Sequence, residues 1–138
     1  MANEKVTVVY IVEDNEVERT MLRDHLMEFK NIDVKDFSNG EYVVKEIIVG
    51  NLEEPNLILM DYFLDSKGGN SKDGLENLAK IKEVSPDTKV IMLSGVSNER
   101  IMKLAEQKGA LDYIVKGTNA YKELDVALAH HFNLKKSN

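Results

Sequence analysis

The 138-residue sequence contains no cysteine, which excludes disulfide bonds, a thiolate nucleophile and any cysteine-ligated zinc site. It also lacks a long apolar run: the run at residues 6–12 is too short to span a bilayer, and no cleavage-site pattern follows it. Basic residues are outnumbered, with 18 Lys and Arg against 24 Asp and Glu, which argues against a nucleic-acid-binding face. These absences favour a cytoplasmic protein that acts neither on a membrane nor on nucleic acid.

The common glycine-rich phosphate-binding motifs are also absent. Segment 65–72 is rich in glycine and polar residues, but it has neither the G-x-x-x-x-G-K-[ST] spacing nor the G-x-G-x-x-G spacing. It is long for a strand-to-helix connection, which usually has about 2–6 residues. We therefore interpret it as a mobile surface loop.

Five short apolar runs alternate with five segments of helical periodicity. The runs cover residues 6–12, 32–37, 57–60, 89–93 and 111–115. Strands that alternate with helices predict right-handed βαβ units and a parallel sheet with helices on both faces. The sequence thus predicts a doubly wound α/β fold of three layers with sheet order 2-1-3-4-5. The length fits one domain over residues 1–138, with a core at about residues 6–132.

Local signals indicate where some helices begin and end. Ser38 and Glu41 have the spacing of a capping box at the start of the second helix. Gly50 and Gly109 each follow a helical segment, in the position typical of a glycine that terminates a helix.

Polar residues follow four of the predicted strands. Glu13 and Asp14 come after the first strand, Asp61 after the third, Ser94 after the fourth and Lys116 after the fifth. The carboxyl ends of parallel strands meet at one edge of the sheet, so these side chains are expected to lie together. Each also has an ordinary explanation: charges at a helix N-terminus, a loop cap, a turn residue or a solvated strand end.

Three carboxylates in one cleft stay ionised only beside a cation or a basic group. Ligands that are all oxygen suit Mg²⁺, which keeps several waters and accepts phosphate oxygens. A lysine and a hydroxyl suit the oxygens of a phosphoryl group. A metal, a lysine and a carboxylate nucleophile are the parts needed to transfer a phosphoryl group to an aspartate.

Four motifs carry a family resemblance: Val12-Glu13-Asp14, Leu59-Met60-Asp61, Met92-Leu93-Ser94-Gly95 and Tyr113-Ile114-Val115-Lys116. With them the chain resembles the receiver domain of two-component response regulators, and in extent the single-domain chemotaxis regulator. The resemblance covers residues 6 to about 132 and implies a flavodoxin-like (βα)5 sandwich.

The resemblance implies roles for individual residues. Asp61 matches the phosphoacceptor, Ser94 the hydroxyl that hydrogen-bonds the phosphoryl group and Lys116 the lysine that pairs with it. Tyr113 matches the aromatic residue that changes rotamer on activation. The family usually has proline after the lysine, whereas this chain has Gly117, so we expect either a trans bond or a strained cis bond there.

The resemblance also implies a magnesium site. Glu13 and Asp14 match the acidic pair that holds Mg²⁺, with Asp14 the direct ligand, and Asp61 completes the carboxylates. The family's metal further takes the backbone carbonyl two residues after the acceptor, which is that of Phe63.

The resemblance implies a phosphoacceptor switch and not an enzyme. A sensor histidine kinase or a histidine phosphotransfer protein would supply its phosphoryl group. We expect a monomer or a phosphorylation-dependent dimer with a downstream protein partner that the sequence does not identify. A phosphohydrolase with an aspartyl intermediate is disfavoured, since Phe63 stands where a second carboxylate would be needed. An interaction module that keeps only the fold is the remaining alternative.

Two further expectations concern residues outside these motifs. His25, His130 and His131 have no spacing that suggests a metal site, and we expect them to be solvated helix positions. The polar tail at residues 135–138 is predicted to be disordered.

Overall fold

The structure, a computed structural model, describes residues 5–62 and 74–137. Within the described residues, five strands alternate with five helices: β1 Thr7–Val12, α1 Glu16–Leu26, β2 Ile32–Phe37, α2 Gly40–Ile48, β3 Leu57–Asp61, α3 Gly74–Val84, β4 Lys89–Ser94, α4 Glu99–Gln107, β5 Asp112–Val115 and α5 Ala120–Phe132. In these two ranges no helix has the length and apolar content needed to cross a membrane.

The strands form one parallel sheet in the order β2-β1-β3-β4-β5, which confirms the predicted topology. The strand bounds agree with the apolar runs to within one residue. All five residues of β3 are buried, because β3 lies in the centre of the sheet with helices over both faces.

Alternation along each strand divides the core into two halves. On β1, Val9 and Ile11 face α1 and α5, whereas Tyr10 and Val12 face α2, α3 and α4. Successive side chains of a strand point to opposite faces, so each buried strand contributes to both halves. The helices close each half with apolar side chains, listed here as Leu22, Leu26, Leu124 and Leu128 on one face and Val43, Ile47, Leu78 and Ile81 on the other.

The predicted helix ends are confirmed in two cases, and one predicted start is wrong. Gly50 and Gly109 have φ angles of +83° and +103° just after α2 and α4, so both terminate their helices as expected. Asn39, not Ser38, caps α2, and its side-chain oxygen accepts hydrogen bonds from the amides of Glu41 and Tyr42. Asparagine is at least as favourable as serine at the N-cap position. With Asn39 as the cap, the helix begins one residue later than predicted.

The C-terminal segment is ordered through residue 137, and the prediction of a disordered tail was wrong over that range. Asn133 adopts the left-handed conformation that ends α5, and Leu134 folds back into the core. The amide of Lys30 then donates to the carbonyl of Lys135, and the amide of Ser137 donates to that of Glu28. Burial of one leucine and two backbone hydrogen bonds therefore fix this segment against the connection from α1 to β2.

The prediction of a solvated His25 was also wrong. Its side chain is 11% exposed, with Nε2 2.6 Å from Asp125 Oδ1 on α5, and its ring stacks on Tyr121 at 4.5 Å. Asp125 Oδ2 also forms an ion pair with Lys136 Nζ at 2.9 Å. His25 thus joins α1 to α5. His130 and His131 are exposed, as predicted.

Candidate functional site

Asp61 is the last residue of the central strand β3, and its position explains why it is buried. It lies opposite Leu93 of β4 in the register, and β1 flanks β3 on the other side. Only 6% of Asp61 is exposed. A carboxylate so deeply placed requires a compensating positive charge or hydrogen bonds.

Lys116 provides that charge. Its Nζ atom lies 2.8 Å from Glu13 Oε1, 3.1 Å from Glu18 Oε2 and 3.3 Å from Asp61 Oδ2. The backbone amide of Lys116 donates to the carbonyl of Ser94 at 2.7 Å, which keeps the end of β5 beside β4. The ammonium group of Lys116 therefore contacts carboxylates from the loop after β1, from α1 and from β3.

Burial dominates the electrostatics of this group. Burial raises the pKa of Glu13 above its usual value; the hydrogen bond from Lys116 opposes that rise, and the charge of Asp61 adds to it. Burial alone would lower the pKa of Lys116, but the hydrogen bond to Glu13 and the charge of Asp61 outweigh it and raise this pKa. Lys116 is therefore a firmly charged cation at neutral pH.

The loop between β1 and α1 is held from two sides. The amide of Asn15 donates to Glu13 Oε2 at 3.1 Å, and Asn15 also caps α1 by accepting from the amide of Glu18. Arg19 donates to the backbone carbonyl of Glu13 at 2.7 Å and lies 3.6 Å from Asp36 of β2. These contacts fix Glu13 at the sheet edge and place the first turn of α1 above it.

Glu18 is a member of the site that the sequence reasoning missed. Among the described residues, one acidic group can offer oxygens to a metal ion, and its members are Glu13, Glu18 and Asp61, with atoms within 4.8 Å of one another. Asp14 is half-buried and makes other interactions, but it is not a member of this group. Glu18 resembles an ordinary acidic residue in the first turn of a helix, and for that reason it gave no signal.

Ser94 and Tyr113 are connected through the backbone of Val96. The fully buried Ser94 side chain accepts a hydrogen bond from the amide of Val96 at 3.0 Å. The hydroxyl of Tyr113 donates to the carbonyl of the same residue at 2.8 Å. A change in the hydrogen bonding of Ser94 can therefore reach Tyr113 through the two peptide groups on either side of the Val96 Cα atom.

Phe63 and segment 65–72 lie outside the described residues, and so do the predictions made for them. The described chain resumes at Gly74, whose amide donates to the carbonyl of Tyr62 at 3.0 Å. A Cβ atom at Gly74 would lie 2.7 Å from the Cα of Tyr62, so only glycine allows this approach. The bond between Lys116 and Gly117 is trans, one of the two expected outcomes.

The site thus combines a buried aspartate at the end of a central parallel strand with a lysine and acidic residues from neighbouring strand ends, in an α/β domain of the doubly wound class. The model of the response regulator receiver domain family matches residues 9–128, and the chain belongs to that family. The family assignment and the flavodoxin-like fold implied by the sequence motifs are thus confirmed.

Relatives and solved structures agree with this assignment. The chain is 31% identical to the chemotaxis protein CheY of Listeria monocytogenes over 115 residues, which are 83% of this chain and 90% of that protein. The response regulator domain of Thermotoga maritima CheB superposes with a TM-score of 0.72 at 26% identity, covering 94% of this chain and 95% of that domain.

Some relatives are much longer than the matched region. The probable C4-dicarboxylate response regulator DctR of Bacillus subtilis is 28% identical over 109 residues, and these span 78% of this chain but 45% of that protein. The chain therefore covers less than half of this relative.

Proposed function

We propose that the chain is a phosphoacceptor switch in which Asp61 receives a phosphoryl group from a phosphohistidine of a partner protein. The observation that carries the proposal is the placement of Asp61 Oδ2 3.3 Å from Lys116 Nζ at the buried sheet edge. Membership of the receiver family supports this assignment. The partner would be a sensor histidine kinase or a histidine phosphotransfer protein.

In the proposed transfer an Asp61 carboxylate oxygen attacks phosphorus while the bond from phosphorus to the imidazole nitrogen breaks. The products are an acyl phosphate on Asp61 and a neutral histidine in the partner, after that histidine has taken or kept one ring proton. Such transfers depend mainly on positioning and charge neutralisation. Lys116 contributes the positive charge for the phosphoryl oxygens, and Ser94 contributes a hydroxyl that can donate to them.

The carboxylates of Glu13 and Asp61 fit Mg²⁺, because each offers an oxygen ligand and these oxygens lie within 4.8 Å of each other. We propose that Glu13, Asp14 and Asp61 hold the ion, together with the backbone carbonyl of Phe63. When bound, the metal would offset the negative charge on the phosphoryl oxygens. The hydrogen bonds from Asn15 and Arg19 would keep Glu13 in position to hold the ion.

The output of the switch would pass through Val96. Rotation of the Ser94 side chain toward a phosphoryl group would weaken the hydrogen bond that its oxygen accepts from the Val96 amide. The Val96 carbonyl accepts from Tyr113, so movement of the Val96 backbone would favour a second rotamer of Tyr113. We infer a cytoplasmic protein that is a monomer or a phosphorylation-dependent dimer and passes its signal to a protein partner.

Incubation with Mg²⁺ and acetyl phosphate, followed by intact mass measurement at neutral pH, tests this function. The wild-type chain should gain the mass of one phosphoryl group, and chelation of Mg²⁺ should prevent the gain. Asp61→Asn should show no gain, because it lacks the nucleophile but preserves the side-chain size. A phosphorylated Asp61→Asn protein, or an unmodified wild type, would refute the proposal.

A further inference from the structure

Glu18 makes a contact that the proposed phosphotransfer does not use. Its Oε2 atom lies 3.1 Å from Lys116 Nζ, close to the distances from Lys116 to Glu13 and Asp61. The contact is built into the fold, because the amide of Glu18 is fixed by the Asn15 cap in the first turn of α1. The three carboxylates therefore compete for one ammonium group.

The three competitors differ in how easily they can release Lys116. The side chains of Glu13 and Asp61 are 6% and 7% exposed, whereas that of Glu18 is 48% exposed. A buried carboxylate that loses its cation is left with an uncompensated charge, but an exposed carboxylate can turn into water at little cost. Glu18 is thus the partner that Lys116 can leave when a further anion enters the site.

We propose that Glu18 is a positioning residue that holds Lys116 in the unphosphorylated protein and releases it to the phosphoryl group on Asp61. This inference rests on the proposed function. The release exchanges one anionic partner of Lys116 for another, so the ammonium stays paired before and after transfer. Glu18 slows phosphorylation, since its contact with Lys116 must break for each transfer.

The test compares Glu18→Gln with Glu16→Gln in phosphorylation by acetyl phosphate at saturating Mg²⁺. Both substitutions remove one charge from the first turn of α1, but the exposed Glu16 makes no contact with Lys116. Glu18→Gln should raise the phosphorylation rate about 2- to 5-fold, the range expected for one half-exposed ion pair. Glu16→Gln should leave the rate unchanged at about 0.15 M salt, where distant charges are screened.

A second pair of measurements shows whether Glu18 acts through Lys116. In a Lys116→Gln background, Glu18→Gln should no longer accelerate phosphorylation, because the contact that it removes is already absent. An acceleration that persists in this background means that Glu18 repels the donor directly, and it overturns the proposal. Equal rates for Glu18→Gln and Glu16→Gln, or a slower Glu18→Gln, overturn it as well.

Failure of this inference can be distinguished from failure of the proposed function. If the wild type takes up no phosphoryl group, the proposed function fails. If the wild type is phosphorylated on Asp61 and Glu18→Gln behaves like Glu16→Gln, only the role of Glu18 fails. Thermal unfolding of each variant should match that of the wild type. A match shows that a difference in phosphorylation rate does not come from a change of fold.

Discussion

Replacement of Gly74 by alanine should disturb the backbone that carries the phosphoacceptor. The new Cβ would lie 2.7 Å from the Cα and 2.8 Å from the carbonyl oxygen of Tyr62, and 3.0 Å from the carbonyl oxygen of Asp61. All three atoms belong to the backbone, so no side chain can rotate to make room. The start of α3 must move away, and the buried Leu75 and Leu78 move with it.

The cost can be worked from these contacts. Overpacking in a well-packed region costs about 1–3 kcal/mol. Alanine also makes the unfolded chain less flexible than glycine does, which stabilises the folded state by about 0.4–1 kcal/mol. The difference spans about 0–2.6 kcal/mol. Since all three close contacts at Gly74 are with backbone atoms, we expect Gly74→Ala to lower the free energy of unfolding by about 1–2 kcal/mol within that range, measured by urea denaturation with far-UV circular dichroism.

Gly95→Ala is the matched control, because a Cβ there meets no atom within 4 Å. Its stability should equal that of the wild type or exceed it by up to about 1 kcal/mol, since the unfolded chain again loses flexibility and no contact opposes the gain. Gly74→Ala should also slow phosphorylation by acetyl phosphate, since small shifts of a reacting group are costly. Equal stabilities of the two alanine variants would refute the steric argument, because the contacts at Gly74 would then be relieved without cost.

Two further substitutions test the corrected parts of the fold. Leu134→Ala should cost about 2 kcal/mol, near the lower end for a buried leucine because the chain end can relax, whereas Lys135→Ala should cost nothing in the same urea titration. A neutral Leu134→Ala would mean that the tail contributes no stability. His25→Ala should cost about 1–2 kcal/mol through the lost contacts with Asp125 and Tyr121, and an equal loss in the exposed His131→Ala would contradict this assignment.

Strand alternation explains why much of the site could be predicted. Val9 and Ile11 of β1 point to one face of the sheet, and Glu13 follows them at the same two-residue spacing. Leu59 and Asp61 of β3 are spaced in the same way. The apolar members of both sets face α1 and α5, so the carboxylates that follow emerge on the same side.

The parts that could not be predicted are contacts between elements far apart in the chain. The pairing of His25 with Asp125 joins residues 100 positions apart, and neither residue has a local pattern that indicates the other. The ordered tail depends on one apolar residue, Leu134, placed among polar neighbours. Polar composition predicts disorder when no partner is known. Here the carbonyl of Glu28 and the amide of Lys30 provide the partners, and both lie in the connection from α1 to β2, far from the tail in the sequence.

The contact between His25 and Asp125 is relevant to the site because it joins α1 to α5. Helix α1 carries Glu18, and α5 begins just after Lys116. His25 and Asp125 hold the two helices together, and Lys136 extends the same ion-pair network from the tail. Since Glu18 can retain or release Lys116 only from a fixed α1, this network sets the geometry in which the carboxylates compete for the ammonium.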